Sequence, residues 1–566
     1  VGAATDRGIP HIRLNEGNLV QLGYGAAQRR IWTAETDKTS AIAEGIASNK
    51  DLTKTLLKAC GVPVPEGEVV DSPEAAWDTA QDIGLPVVVK PLDGNHGRGV
   101  SLELSERADV EAAFKIAENE GSDVIVESFI PGDEHRLLVV GGKVVAAARG
   151  ESLYIVGNGR DNIAQLIDDQ LNSDPRRGDA EEFPLETIIL DREPAMRLLL
   201  ERQGLSAESV PTDGQRVLVQ RNGNVAIDCT DDVHPDVAHA ASLAARVVGL
   251  DIAGIDMVLS DVSKPLLPQR GAVVEVNAGP GLLMHLKPAE GLPRPVGKAI
   301  ADHLFHEDET GRVPIVGVAG SHGTTQIARL VAWLLHLSGK HVGLGCREGL
   351  FLGSRRIEGG DRANFEAGQR LLMNREVNAV VLENGAASIL NDGLAYDRCS
   401  VGVVTDLHGA EAPVAPALAE HDIHEPAQMF KVLRTQVDVV LSDGVAVLNA
   451  SDARVLEMAE LCDGEVILYD IDHQSPALVA HRAKGGRTVS VEGHHVLLTH
   501  NGQVPLRCAD LNSAAARRMT AGIADQPVPG ASVRCLLAAA GVAWALGISP
   551  ELIAAGLETF DPSTKK

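Results

Sequence analysis

The 566-residue chain exceeds the ~250–300 residues at which single cores stop growing, so two or three domains are expected. Its 44% hydrophobic and 23% charged residues are those of a globular protein, which excludes disordered and collagen-like chains. A formal charge of −27 repels phosphate backbones and anionic lipid, and 3% aromatic residues leave few platforms for stacking bases, so neither nucleic acid nor a membrane is an expected partner.

The seven cysteines are scattered and include no C-x-x-C pair, which reads as reduced thiols of a cytoplasmic protein without a disulfide frame or a zinc site. No apolar run reaches the ~18–20 residues needed to span a bilayer. Residues Val1 to Arg7 lack the apolar core of a signal peptide. They also lack an initiator methionine, as expected of a chain that is trimmed or begins within a longer product.

In chain order, Ser48 to Asp51 has the spacing of a capping box, and Leu52, Leu56, Leu57 and Cys60 then mark one face of a helix that Gly61 and Pro63 end. A β-branched strand follows over 85–91 and runs into a glycine loop, Asp93 to Val100. Another strand over 124–130 leads to Pro131-Gly132-Asp133-Glu134. Gly254-Ile255-Asp256 and Val273 to Asn277 each belong to an apolar strand. The polar stretch His306 to Arg312, followed by Pro314, suggests a boundary, and beyond it strands and helices alternate again as in α/β domains.

A lysine at the end of an apolar strand, Lys90, before a loop with Gly94, Gly97 and Gly99, can place an ammonium and free backbone N–H groups around phosphates; a plain turn is the alternative. Glu127 and Glu134, seven apart across a Pro-Gly turn, can address a base and a ribose hydroxyl. Glu275 and Asn277, two apart on a strand, share a face that Asp256 can join from a neighbouring strand, and three hard oxygen ligands suit Mg²⁺ on nucleotide phosphates. The competing reading is three solvated polar residues.

This ordered set resembles the ATP-grasp family of carboxylate-amine ligases. The resemblance implies that Lys50 and Lys90 hold the α- and β-phosphates of ATP, and that the loop from Gly94 through Asn95 and Gly97 to Gly99 covers the β- and γ-phosphates. It further implies that Glu127, Ser128 and Ile130 line the adenine, Glu134 takes the ribose, and Asp256, Glu275 and Asn277 bind Mg²⁺. His11 to Asn15, Leu19 to Gly25, Ser173 to Gly178, Gly249 to Asp256 and Met284-His285-Leu286 resemble cyanophycin synthetases. Those enzymes build a poly-aspartate polymer bearing arginine side groups, joining an ATP-grasp domain to a Mur-ligase-like one.

The implied fold is an α/β multidomain chain: an N-terminal segment over 1–40, an ATP-grasp domain over 41–309, and a degenerate Mur-ligase-like P-loop α/β domain over 312–566. The family's N-terminal domain would precede residue 10, and its C-terminal lid lobe would begin after Pro562. In Val313 to Thr325 the family's P-loop lysine is replaced by Thr324, and a hydroxyl cannot offset phosphate charge. Glu383 to Ser388 keeps the family's carboxylate but loses an arginine and two glycines, and Asp406 to Glu411 departs from the family stretch whose histidine serves the metal site.

These losses are similar to the second type of cyanophycin synthetase, which has one working site and polymerises β-aspartyl-arginine dipeptides. The acceptor side is also altered, with the loop over 217–225 contracted, Gln220 and Leu283 at two arginine positions, and Gly150 at a third. Arg149 can cover the last by a one-residue shift. Arg221 and Asn224 can steady the acyl phosphate, or Asn222-Gly223 is an ordinary hairpin turn. His285, beside the metal motif, is a candidate substrate contact; His96, His135 and His234 read as packing or surface residues. Arg176 and Arg177 can clasp a carboxylate or form a solvated pair. The resulting expectation is a homo-oligomeric, ATP- and Mg²⁺-dependent ligase extending the cyanophycin polymer, with a nucleotide-binding pseudoenzyme that regulates a full synthetase as the alternative.

Overall fold

The computed structural model describes residues 1–92, 99–120, 123–179, 183, 185–407, 418–500, 503–513 and 531–561, with backbone alone at 195, 221–225, 426, 531 and 532. The chain divides into two compact units. One comprises residues 1–7, 13–20 and 29–309, the other 8–12, 21–28 and 310–566.

The first unit opens its ligand-bearing part with α1 (Ala41–Ser48) and α2 (Lys50–Ala59). The capping differs from the sequence expectation. Ser48 ends α1, and Asn49 is the N-cap of α2, its side chain accepting the Leu52 N–H at 3.0 Å. The buried face of α2 differs too: it carries Lys50, Thr53, Lys54 and Leu57, whereas Leu52 and Cys60 are exposed. Charge pairing behind the helix, described below, outweighs the apolar stripe in setting its rotation.

A four-stranded antiparallel sheet follows, built from β1 (Gly67–Val70), β2 (Val87–Pro91), β3 (Ser101–Leu104) and β4 (Val124–Ser128) in the order β1-β4-β2-β3. It is covered by α3 (Pro73–Ile83) and α4 (Arg107–Glu120), whose Ala76, Ala80, Ala113, Phe114 and Ala117 pack on Val87, Val89, Val124 and Val126.

The larger sheet of this unit contains β5 (Asp133–Val140), β6 (Lys143–Val156), β7 (Arg216–Asp228), β8 (Ile252–Leu259) and β9 (Ala272–Asn277) in the antiparallel order β7-β6-β5-β8-β9. One face packs against Ala240, Ala241, Ala244, Ala245 and Val248 of α6 (Pro235–Val248), and small residues let the helix approach closely. Before β7 stands α5 (Pro194–Arg202), whose Leu198 lies in the core of the small sheet while Met196 and Leu200 lie in a separate core with Val217 and Val219. A single turn, α7 (Leu283–Leu286), follows β9.

The hairpin turn at Asn222-Gly223 is not formed. Residues 216–228 are one continuous strand in which Gly223 pairs with Glu151 and Gln220 with Leu153, with register shifts absorbing the irregularity.

The second unit is built on a single eleven-stranded sheet whose central run is parallel: Val342–Cys346 (β11), Ala379–Asn384 (β12), Ile315–Ala319 (β10), Cys399–Val404 (β13), Val440–Asn449 (β14), Glu465–Asp472 (β15) and Arg487–Glu492 (β16). Antiparallel hairpins extend both edges. The parallel strands are buried runs of valine and leucine, as a sheet covered on both faces requires. After β10 the chain turns through Gly320–Gly323, both of whose glycines have positive φ (Gly320 at 138°, Gly323 at 71°), and enters α8 (Thr324–Leu337). The strand–glycine turn–helix expected at 315–325 is therefore present. Helix α9 (Ala531–Ala545) lies in the core that α8 lines.

Candidate active site

The side chains singled out on the first unit converge from six elements, α2, β2, β4, β5, β8 and β9. Lys90 ends β2 and is buried, and its Nζ lies 3.0 Å from Glu127 Oε2 on the adjacent strand β4. The other oxygen of Glu127 is in contact with Lys54 Nζ from α2. Lys50, one turn earlier on the same face, lies 3.4 Å from Glu275 Oε1 on β9.

Three ammonium groups thus crowd around two carboxylates. Burial and the neighbouring lysine charges lower the pKa values of Lys54 and Lys90 from the ordinary lysine range, while Glu275 opposes the shift. A polyanion relieves such crowding.

The carboxylate side of the cluster follows from strand register. Asp256 on β8 stands directly opposite Glu275 on β9 and opposite Arg136 on β5, so all three share one face of the sheet. Arg136 grips Asp256 bidentately, one contact being Nη2 to Oδ2 at 2.8 Å, and Asn277 Nδ2 donates to the same Oδ2 at 3.0 Å. Glu134, two residues before Arg136, joins this face. Its carboxyl is pushed up to about 7 by removal from water and by the charges of Asp256 and Glu275, against the pull of Arg136 and Lys90. Burial likewise raises Asp256, with Arg136 opposing.

The donor chemistry at Asp256, Glu275 and Asn277 consists of hard oxygens and fits Mg²⁺. Among the described residues no group of three His, Cys, Asp or Glu side chains is placed to hold a metal by itself, so the set suits an ion completed by phosphate oxygens rather than a closed protein site.

Other candidates fall differently. Gly94, Asn95, His96 and Gly97 lie outside the described residues, as do the side chains of Arg221 and Asn224. Gly99 has φ 71°, and a Cβ there would sit 3.2 Å from both Glu120 and Pro91, so the end of the loop requires glycine. Ser128 exchanges hydrogen bonds with the Glu66 backbone, Oγ accepting at 3.1 Å and N–H donating at 2.7 Å, and Ile130 is half-buried.

His285, on α7, is 2% exposed, and neither ring nitrogen has a hydrogen-bond partner among the described residues. Burial and the Arg136 charge push its pKa down to about 4, with Asp228 opposing, so the ring is neutral at pH 7. His135 Nδ1 is 2.9 Å from the Asp133 carbonyl, and His234 Nδ1 accepts the Asp236 N–H as the N-cap of α6, both structural roles. Arg176 pairs with Asp174 at 2.6 Å and reaches the Ala289 carbonyl at 2.7 Å. Two site residues escaped the sequence reading, Lys54 and Arg136. Each repeats the side-chain direction of a chosen residue, Lys54 four after Lys50 on a helix and Arg136 two after Glu134 on a strand.

At the glycine turn of the second unit the arrangement is inward-looking. Thr324 Oγ1 donates to Glu383 at 2.7 Å, and Thr325 Oγ1 donates to the same carboxylate at 2.8 Å. Arg347 adds its backbone N–H at 2.9 Å and its Nε at 3.3 Å. Glu383 itself is 1% exposed. Cys535 of α9 abuts Gly323, where a Cβ would collide with its sulfur, and Thr405 fills the space beside Gly320. Asp406 accepts the His322 N–H at 3.1 Å.

Residues 55–145 match the ATP-grasp domain family, so the first unit carries an ATP-grasp domain. A cyanophycin synthetase from Nostoc sp. is 36% identical over 572 aligned residues, covering 100% of this chain and 62% of that protein. The chain is thus homologous to cyanophycin synthetases along its whole length while spanning less than two thirds of theirs. The glutathione biosynthesis bifunctional protein GshAB of Clostridium perfringens is 33% identical over 298 residues, covering 51% of this chain and 38% of that one. Among solved structures, a bifunctional glutathione synthetase from Pasteurella multocida gives a TM-score of 0.38 at 29% identity, covering 54% of this chain and 43% of that chain.

Proposed function

We propose that the first unit is an ATP-dependent carboxylate-amine ligase that extends cyanophycin, and that β-aspartyl-arginine is the incoming amine. The observation that carries this reading is the lysine cluster on α2 and β2 abutting the carboxylate face of β8 and β9, set in an ATP-grasp domain. Full-length similarity to cyanophycin synthetases supports the polymer as substrate.

Lys50 and Lys90 bind the ATP phosphates, with the loop at Gly94–Gly99 covering them. Glu127, Ser128 and Ile130 border the adenine, and Glu134 takes the ribose. Asp256, Glu275 and Asn277 would hold Mg²⁺, whose charge supplies electrostatic stabilisation at the transferring phosphoryl group. The γ-phosphoryl passes to an oxygen of the polymer's C-terminal carboxylate, releasing ADP. The amine then attacks the carbonyl carbon, the C–N bond forms as the C–O bond to phosphate breaks, and the amine proton leaves to solvent. Arg221, Asn224 and His285 are assigned to the acceptor side; His285, neutral and without a hydrogen-bond partner among the described residues, offers one donor and one acceptor to substrate.

Incubation with ATP, Mg²⁺, a cyanophycin primer and either β-aspartyl-arginine or free Asp and Arg tests the reading by phosphate release and polymer mass. Release with the dipeptide alone is expected. ATP binding without release above background for any acceptor would favour a regulatory pseudoenzyme, a reading motivated by the continuous strand over 216–228 and by Leu283.

A further inference from the structure

The ligase reading uses Lys50 and Lys90, whereas the structure brings a third lysine to the same place. Lys54 lies on the buried face of α2, 8% exposed, with its ammonium on one oxygen of Glu127 while Lys90 holds the other at 3.0 Å. Glu127 is 2% exposed, so its charge is balanced almost wholly by these two groups. Lys50 is directed elsewhere, to Glu275. Lys54, Glu127 and Lys90 therefore form one buried triad in which two lysines share one carboxylate.

A buried carboxylate left with a single ammonium cannot release it without becoming an unpaired charge in a poorly hydrated place. Lys90 must turn from Glu127 to reach a phosphate, and it can do so only while another cation remains on Glu127. We infer that Lys54 is a positioning residue of the nucleotide site: by holding Glu127 it frees the Lys90 ammonium for phosphate. This rests on the ATP-ligase reading. Lys54 touches no nucleotide in this account and acts through Glu127 alone.

The account makes a specific demand on paired substitutions, measured on the full chain by Mg-ATP titration calorimetry and ATP-dependent phosphate release. Lys54→Met weakens ATP binding ten-fold or more, because Glu127 then retains Lys90. Lys54→Arg, which keeps the charge, stays within about three-fold of wild type. In a Glu127→Gln background there is no carboxylate to retain Lys90, so adding Lys54→Met costs less than three-fold. Equal losses from Lys54→Met in both backgrounds would overturn the inference, as would wild-type affinity in Lys54→Met. If Lys54→Met does not fold, the neutral pair Lys54→Met/Glu127→Gln and Lys54→Arg still decide. Affinity more than three-fold weaker in that pair than in Glu127→Gln alone would reject the mechanism. A wild-type chain that binds no ATP would instead overturn the ligase reading, and this inference with it.

Discussion

Two glycine-bordered clusters, one in each unit, differ in how their buried carboxylates are answered. Around Glu127 and Glu275 three lysines share two carboxylates, and burial lowers the pKa values of Lys54 and Lys90. Around Glu383 the reverse holds: one carboxylate is answered by two threonine hydroxyls, one backbone N–H and one guanidinium, and nothing is left over. The glycine turn at 320–323 is kept, yet its open flank is filled by Cys535 and Thr405. The two clusters share a neighbouring glycine turn or loop and differ in the number of cations set against each carboxylate.

The sharpest break of this contrast is Lys90→Ala. It removes a charge-assisted contact of about 1.5–3 kcal/mol, more where water is excluded, and ATP-dependent phosphate release is expected to fall by two orders of magnitude or more. Retained turnover would transfer the chemistry elsewhere.

Next in size is Glu383→Ala. The hydroxyls of Thr324 and Thr325 and the Arg347 N–H lose their shared acceptor, for a loss of about 2–4 kcal/mol in unfolding free energy. Phosphate release per folded molecule stays unchanged. Denaturant midpoints together with specific activity separate the two effects, and a selective loss of turnover would make the second cluster part of the reaction.

A smaller effect concerns pH. Glu134 has a folded pKa raised to about 7 from an unfolded value of 4.5, so the folded chain holds the extra proton between these values. Stability from this group is present below the unfolded pKa and declines as pH rises from about 4.5 toward 7. Glu134→Gln removes that slope, and its stability relative to wild type is expected to be about 1–2 kcal/mol better at pH 8 than at pH 4.5. Parallel stability curves for the two proteins would refute the shift.

The smallest effect expected is that of Thr324→Lys, which restores one cation beside a carboxylate already satisfied by Arg347 and does nothing for the blocked glycine flank. No ligation of free arginine is expected, as measured by incorporation of labelled arginine into primer.

The sequence was informative where one strand or one loop carries the signal. Lys90 and the Glu275/Asn277 alternation fall on the strands expected of them, period-two spacing fixing the shared face of the latter pair, whereas Glu134, expected only to follow the Pro-Gly turn, lies on β5. It was misleading at α2, where the stripe Leu52, Leu56, Leu57, Cys60 suggested the buried face but Lys50 and Lys54 turned inward. Helix periodicity ranks residues by hydrophobicity, and it cannot register that a lysine is drawn inside by a carboxylate 73 positions downstream. Arg136 was overlooked for the same reason: its value depends on Asp256, which only strand pairing places opposite. The Asn222-Gly223 signal, strong for a turn in isolation, yielded to the continuous ladder with β6.

The end of α5 has a mechanical meaning. Arg202 hands its guanidinium to the Leu102 and Glu103 carbonyls on β3, at 2.9 and 2.6 Å, while its neighbour Gln203 exchanges two hydrogen bonds with the Leu218 backbone on β7, at 2.8 and 3.1 Å. With Leu198 seated in one core and Leu200 in another, the helix works as a drawbar between the small sheet that presents Lys90 and the long ribbon that contains residues 220–225. Such a tie would couple the two sheets within a single turn of helix, so hydrogen exchange at 196–203 is expected to slow when nucleotide is added, although none of these residues is assigned to the phosphates.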